Sequence, residues 1–134
     1  MKPLREIIDG ERHPIDDESY AARCRGELKK TSILVLNNFL TKAAVAELQR
    51  EAQSLHEKIF YCSRKHNVFL TEKNLQLDDD HPCNVEVVSD KGCVPHDLIP
   101  PGSHLRTIYN SQIFQSFVQS VLSLEKIHPY ADTL

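Results

Sequence analysis

Residues 103–134 read SHLRTIYNSQIFQSFVQSVLSLEKIHPYADTL. Asn110 or Ser111 can cap a helix here, because either side-chain oxygen accepts one of the first free backbone N–H groups. Behind that cap Ile113, Phe114, Phe117, Val118, Val121 and Leu122 gather on one broad face at 3.6 residues per turn, which predicts a helix over 111–124 with that face buried. The other side carries Gln112, Gln115, Ser116, Gln119, Ser120 and Ser123, polar but uncharged. A solvated helix face usually shows Lys and Glu pairs, so this side either meets protein too or is an ordinary wet face without charge. The residue before a proline is driven toward extended backbone. His128 should therefore leave the helix and Pro129 should open a further element, of which Tyr130-Ala131-Asp132-Thr133-Leu134 would be only the beginning.

Working outward, 134 residues bound the chain at one domain, and 40% hydrophobic with 26% charged residues is ordinary globular composition. With five Phe, four Tyr and no Trp, most burial has to come from Leu, Ile and Val. A net charge of −3 argues against a nucleic-acid partner, which would call for clustered Lys and Arg. The opening Met1-Lys2-Pro3-Leu4-Arg5-Glu6 lacks the apolar core of a signal peptide, and no apolar run approaches the roughly 20 residues that span a bilayer. The expected location is cytoplasmic, with no membrane partner and with Cys24, Cys62, Cys83 and Cys93 as reduced thiols.

Upstream, Asp16 to Lys30 fits a helix with acids in its first turn and Lys29 and Lys30 in its last, matching the helix dipole. Its apolar stripe of Tyr20, Cys24 and Leu28 is thin, so the helix is expected at the periphery. Four apolar residues in a row, Ile33 to Leu36, suit a strand buried on both faces. Asn67 to Thr71 and Asn84 to Val88 are weaker strand candidates. Thr41 is a good N-cap for a helix over 42–61, with Ala44, Val45, Leu48, Ala52, Leu55 and Ile59 on its core face and Lys42, Glu47, Arg50, Glu51, Glu57 and Lys58 on a solvated back. Residues 71–103 hold four prolines, two glycines, and seven acids against two lysines, a local charge of −5. So long a connection is a binding loop, a lid, or a segment ordered by a partner.

The fold class expected is α+β: about three helices (16–30, 42–61, 111–124), short strands at 33–36, 67–71 and 84–88, a long acidic loop, and an incomplete sheet rather than a closed barrel. Residues 1–134 then form one domain or a domain fragment. It divides into a peripheral helical lead (1–31), a strand–helix unit (32–70), an acidic proline-rich loop (71–103) and an amphipathic helix with its exit (104–134).

Several groupings carry possible chemistry. His81 and Cys83, followed by Cys93 and His96, could close a tetrahedral zinc site, or be four unrelated loop residues, since neither pair has a standard spacing. Cys62 and His66 would face each other on a continuing helix as a metal pair or activated thiolate, or simply end a helix. Asp78-Asp79-Asp80 lacks the alternating oxygen ligands and glycine of a calcium loop and reads as a solvated acidic turn. The four glycines never cluster into a phosphate loop, and no G-x-S-x-G elbow is present. His13, His56 and His104 read as surface or capping residues. No residue is assigned a catalytic, cofactor-binding or metal-ligating role.

The order of these pieces resembles the N-terminal part of an iron(II)/2-oxoglutarate-dependent oxygenase. Ile33-Leu34-Val35-Leu36-Asn37-Asn38-Phe39-Leu40-Thr41 and the helix after it are similar to the strand, turn and helix that open many members. Leu105-Arg106-Thr107-Ile108-Tyr109, Phe114, Phe117 and His128-Pro129-Tyr130-Ala131-Asp132-Thr133-Leu134 resemble more narrowly the branch that hydroxylates or halogenates free amino acids. The resemblance implies a double-stranded β-helix that holds iron by two histidines and, in hydroxylases, a carboxylate, with an arginine gripping 2-oxoglutarate. Those groups would follow the Pro-Tyr-Ala-Asp segment. None of the seven histidines here starts an H-x-D or H-x-E, so no ligand carries over. Iron(II) and 2-oxoglutarate are expected only for a full-length relative. The expectation is a segment without catalysis of its own, truncated or degenerate, whose partner is a C-terminal barrel or another protein. The alternatives are a self-sufficient small α+β interaction protein and a metal-binding module on His81, Cys83, Cys93 and His96.

Overall fold

The computed structural model describes residues 3–128. Among them are five α-helices and one two-stranded antiparallel sheet, an α+β arrangement without a barrel. The chain falls into two compact units, one formed by the residues up to Ser54 together with those from Asp97 onward, the other by Leu55–His96. Both the strand–helix unit expected over 32–70 and the acidic loop expected over 71–103 are divided between them.

The first unit holds α1 (Leu4–Ile7), α2 (Glu18–Thr31), most of α3 (Lys42–Leu55), α4 (His104–Tyr109) and α5 (Gln112–Leu122). Helix α2 starts where Asp17 accepts hydrogen bonds from the backbone N–H groups of Ser19 and Tyr20, at 2.7 and 3.2 Å. These N–H groups and the Ser19 hydroxyl hold the Asp17 carboxyl below its usual range, the hydroxyl contributing most. It ends on Ser32, whose left-handed φ of 60° lets its N–H reach the Leu28 carbonyl. Rather than lying at the periphery, α2 supplies Tyr20, Ala21 and Cys24 to the core, and packs on Phe117 and Val121 of α5. The Tyr20 and Phe117 rings stack at 5.8 Å.

In α5 Ser111 is the cap, accepting from the Phe114 N–H, and the helix ends at Leu122 on a left-handed Ser123, well before His128. The segment expected from Pro129 lies outside the described residues. The buried stripe is narrower than the apolar one: Phe117 and Val121 are buried and Phe114 and Val118 partly so, while Ile113 and Leu122 stay about half exposed. On its uncharged side the glutamines serve the chain itself. Gln115 donates to the Tyr109 carbonyl and Gln119 to the Glu125 carbonyl, each at 2.9 Å, closing the turns at the two ends of α5.

Residues 33–36 are not a strand. Ile33 and Val35 are 67% and 69% exposed, whereas Leu34 and Leu36 pack on the core. The run has only one buried side and no ladder on either edge, so the apolar residues alone could not make it a sheet element. Pairing appears only at its end, where Ile8 and Leu40 form an isolated antiparallel bridge. Thr41 caps α3 as expected, its hydroxyl accepting from the Ala44 N–H at 3.2 Å and donating to the Glu6 carbonyl at 2.9 Å. Helix α3 stops at Leu55, not near 61, because β-branched Ile59 and aromatic Phe60 and Tyr61 lead into a strand that begins at Phe60. Its buried positions are Ala44 and Leu55, with Val45 and Ala52 exposed. The inward face is therefore turned toward Glu47, Leu48 and Glu51, two of which were expected on the solvated back.

The second unit is a hairpin of β1 (Phe60–His66) and β2 (Val87–Cys93), in register from Phe60 opposite Cys93 to His66 opposite Val87. The strands expected at 67–71 and 84–88 are displaced. The first is a turn organised by Asn67, and the second enters the sheet only at Val87 and Val88. Part of the expected acidic loop is thus strand β2. Gly92 is needed where it stands: a Cβ there would lie 2.9 Å from the Ile59 Cγ2 and 3.0 Å from the Tyr61 ring. Within 55–96 only Leu55, Asn67 and Asn84 are buried, so this unit has no apolar interior of its own. No helix among the described residues is long and apolar enough to cross a membrane.

Candidate functional site

The first unit contains a cleft of about 260 Å³ lined by Glu47, Leu48, Arg50 and Glu51 of α3 and by Gly102, Ser103 and His104 at the start of α4. Spacing places it. Glu47 and Glu51 are four residues apart, hence on one helix face, and both point at the first turn of α4. Ser103 is the N-cap of α4, its Oγ accepting from the Leu105 N–H at 3.1 Å while donating to Glu51 Oε1 at 2.7 Å. His104 follows directly, with Nε2 2.9 Å from Glu47 Oε2. Carboxylates only accept, so Nε2 carries the proton of this bond.

Chemically the cleft is closed. The Ser103 side chain is buried and its hydroxyl proton is committed to Glu51, so it offers no free nucleophile. His104 is buried too, and its Nδ1 lies inside the wall with no hydrogen-bond partner. A general base must reach the proton it removes within hydrogen-bond distance or through one water. Nδ1 has no surface from which to do so, and Nε2 already faces Glu47. The two pairs instead tie α3 to α4, and one half-buried carboxylate against an imidazole is a larger structural contribution than an exposed ion pair would be.

His13 and His104 were both expected as surface or capping residues and are both buried. His13 Nε2 lies 2.9 Å from the Asn37 carbonyl, which can only accept, so the ring proton sits on Nε2. Its Nδ1 then accepts from the Tyr20 hydroxyl at 2.6 Å. Burial, with Cys24 beside it, pushes the Tyr20 phenol up to about 12. Sequence alone missed this pair because seven residues and a turn separate the partners. The signal available was the acceptor-rich Asn37-Asn38 turn beside an apolar run. His56 lies in an exposed 3-10 turn, as expected.

The other groupings are all in the hairpin unit. Cys62 and His66 stand on strand β1, not on a helix, so four residues separate them by about 13 Å. His66 is bound elsewhere, to the Asn67 carbonyl at 3.1 Å and the Ser89 hydroxyl at 3.0 Å. His81 Nδ1 accepts from the Cys83 N–H at 3.2 Å, Cys93 ends β2 opposite Phe60, and His96 begins a 3-10 turn. These four are not brought together, and among the described residues no three His, Cys, Asp or Glu side chains are grouped to hold a metal ion. All four cysteines are unpaired. In the acidic turn Asp79 pairs with Lys73 at 2.7 Å; this bond lowers the carboxyl's pKa and raises that of the ammonium. No protein-family model, curated protein or solved structure matches the chain.

Proposed function

We propose that this chain is a non-catalytic segment of a protein built like an iron(II)/2-oxoglutarate-dependent amino-acid oxygenase, and that it works by packing against β-structure which carries the chemistry. The observation that carries the proposal is the bare hairpin. Phe60, Tyr61, Val87 and Val88 are exposed on β1 and β2, and a two-stranded sheet without a covered face is marginal in water. Further strands would cover both. The closed cleft at Ser103 and His104 supports the same reading, since its polar groups are spent on holding helices. The purified chain, given iron(II), 2-oxoglutarate and ascorbate, should release no succinate above a protein-free control; stoichiometric iron binding or turnover overturns the proposal. A continuing reading frame that encodes a β-rich stretch with H-x-D, H-x-E or H-x-G supports it.

A second reading, a self-sufficient α+β interaction protein, is favoured by the apolar cluster of the first unit, which joins α2, α5 and the 33–40 segment around Ile8, Ile15, Tyr20 and Phe117. It requires one cooperative melt that includes the hairpin. A broad melt in which the hairpin amides exchange freely removes it.

A further inference from the structure

We infer that the connection from Asn67 to Asn84 is a preformed docking element, and that what meets it is an amphipathic helix of a partner protein whose apolar face is flanked by lysine or arginine. The inference rests on the interaction reading above and says which surface interacts and with what chemistry.

The loop is held by two buried asparagines rather than by apolar packing. Asn67 Oδ1 accepts from the N–H groups of Phe69 and Thr71 at 3.0 and 3.1 Å, and its Nδ2 donates to the carbonyls of Thr71 and Cys83 at 2.8 and 2.6 Å. Asn84 Oδ1 accepts from the Asn74 N–H at 2.8 Å, while its Nδ2 lies 2.9–3.0 Å from the carbonyls of Asn74, Leu77 and Asp78. An asparagine amide offers two donors and two acceptor lone pairs, and both side chains are essentially saturated by loop backbone. Polar groups so committed specify one loop shape. Leu70 is held in that shape at φ 55°, a left-handed conformation that a leucine rarely adopts.

This ordered frame presents apolar side chains outward. Val68, Phe69, Leu70 and Leu75 are 70%, 57%, 78% and 89% exposed. A disordered linker would be expected to be polar, and a loop with a merely structural role would turn such groups inward. The same 67–84 stretch carries Glu72, Asp78, Asp79 and Asp80 against a single Lys73, itself paired to Asp79, with Arg64 and Lys65 preceding it on β1. The occupant must therefore bury leucine and phenylalanine side chains while meeting a stretch whose own net charge is −3, four acids against one lysine. A second copy of this loop, an anionic bilayer and a nucleic acid all bring like charge. An amphipathic helix with an apolar face and basic flanks meets both demands.

The test uses the full chain and fluorescence anisotropy with three labelled helical peptides: a leucine–lysine amphipath, its leucine–glutamate counterpart and a serine–lysine control. The leucine–lysine peptide should bind at least about tenfold more tightly than either other peptide. Leu70→Ser with Leu75→Ser should weaken it about tenfold or more, from the apolar area lost. Asp78→Asn, Asp79→Asn and Asp80→Asn together should weaken it similarly and flatten its salt dependence. All five positions are exposed, and circular dichroism of each variant checks that the fold is kept. Equal binding of the leucine–lysine and leucine–glutamate peptides, wild-type binding by either loop variant, self-association in sedimentation without peptide binding, or binding to anionic vesicles in place of peptide would each overturn the inference. If Phe60→Ser with Val88→Ser abolishes binding while the loop variants keep it, the interaction reading stands and the loop assignment falls. Succinate production would remove the non-catalytic reading whatever the peptides do.

Discussion

Replacing Tyr20 by phenylalanine tests the buried histidine network that joins α2 to the turn at Asn37. The hydroxyl lost donates to His13 Nδ1 at 2.6 Å, and both residues are buried. The bond itself contributes about 1 kcal/mol net, and the stranded imidazole nitrogen costs about a further 1–2 kcal/mol. Tyr20→Phe should therefore destabilise by about 2–3 kcal/mol, a fall in Tm of about 6–18 °C for a domain of this size. His13→Leu should cost at least as much, because the Asn37 carbonyl loses its 2.9 Å donor as well. The informative measurement is the double variant. With both partners of the His13–Tyr20 bond apolar, neither is left half-satisfied, while the Asn37 carbonyl is unpaired in the double variant as in His13→Leu alone. The double variant's cost should therefore fall short of the sum by about 1–2 kcal/mol in urea unfolding followed by circular dichroism. Additivity within about 0.3 kcal/mol would refute a direct bond. So would nitrogen chemical shifts that place the His13 proton on Nδ1 in the native protein.

Three further outcomes are expected. Gly92→Ala forces the Ile59 and Tyr61 side chains aside from contacts of 2.9 and 3.0 Å, so it should loosen the hairpin by about 1–3 kcal/mol, read as faster amide exchange in β1 and β2 and unchanged exchange in α2; equal exchange in both elements argues against it. The Tyr20 phenol, raised from 10 to about 12, is neutral in both states below pH 10, so its contribution to stability is complete there and is lost as the pH rises through about 12. Ultraviolet titration should accordingly show one late tyrosine that disappears in Tyr20→Phe. Asn84→Ala releases three carbonyls and one N–H of the 67–84 loop, and limited proteolysis should cut that loop about tenfold faster while the helices of the first unit resist as before; an unchanged cleavage rate would mean the amide does not hold the loop.

Helices were legible where a cap and an apolar period agreed. Thr41 and Ser111, both offered as caps by the sequence, sit at N-caps, whereas Asp17, expected within the first turn of its helix, is the cap of α2. Such signals are local, set by residues within one turn. Strands were not legible, for the converse reason. Ile33 to Leu36 is apolar but finds no ladder, while β2, Val-Val-Ser-Asp-Lys-Gly-Cys, has little apolar pattern and is a strand because β1 lies beside it. Pairing depends on a partner distant in sequence, and composition does not encode it. The candidate site was illegible on the same ground: Glu47 and His104, or Glu51 and Ser103, are more than fifty residues apart and meet only when α3 and α4 do.

From its residues alone, this chain was bound to be an α+β protein with capped helices and an acidic middle. Those properties follow from side-chain chemistry and short-range spacing. Tertiary structure decided which apolar residues are buried, that two histidines are interior, that the acidic middle is pinned by Asn67 and Asn84, and that its leucines face outward. Each of these depends on which groups exclude water from one another, and that is settled only when segments far apart in the chain come into contact.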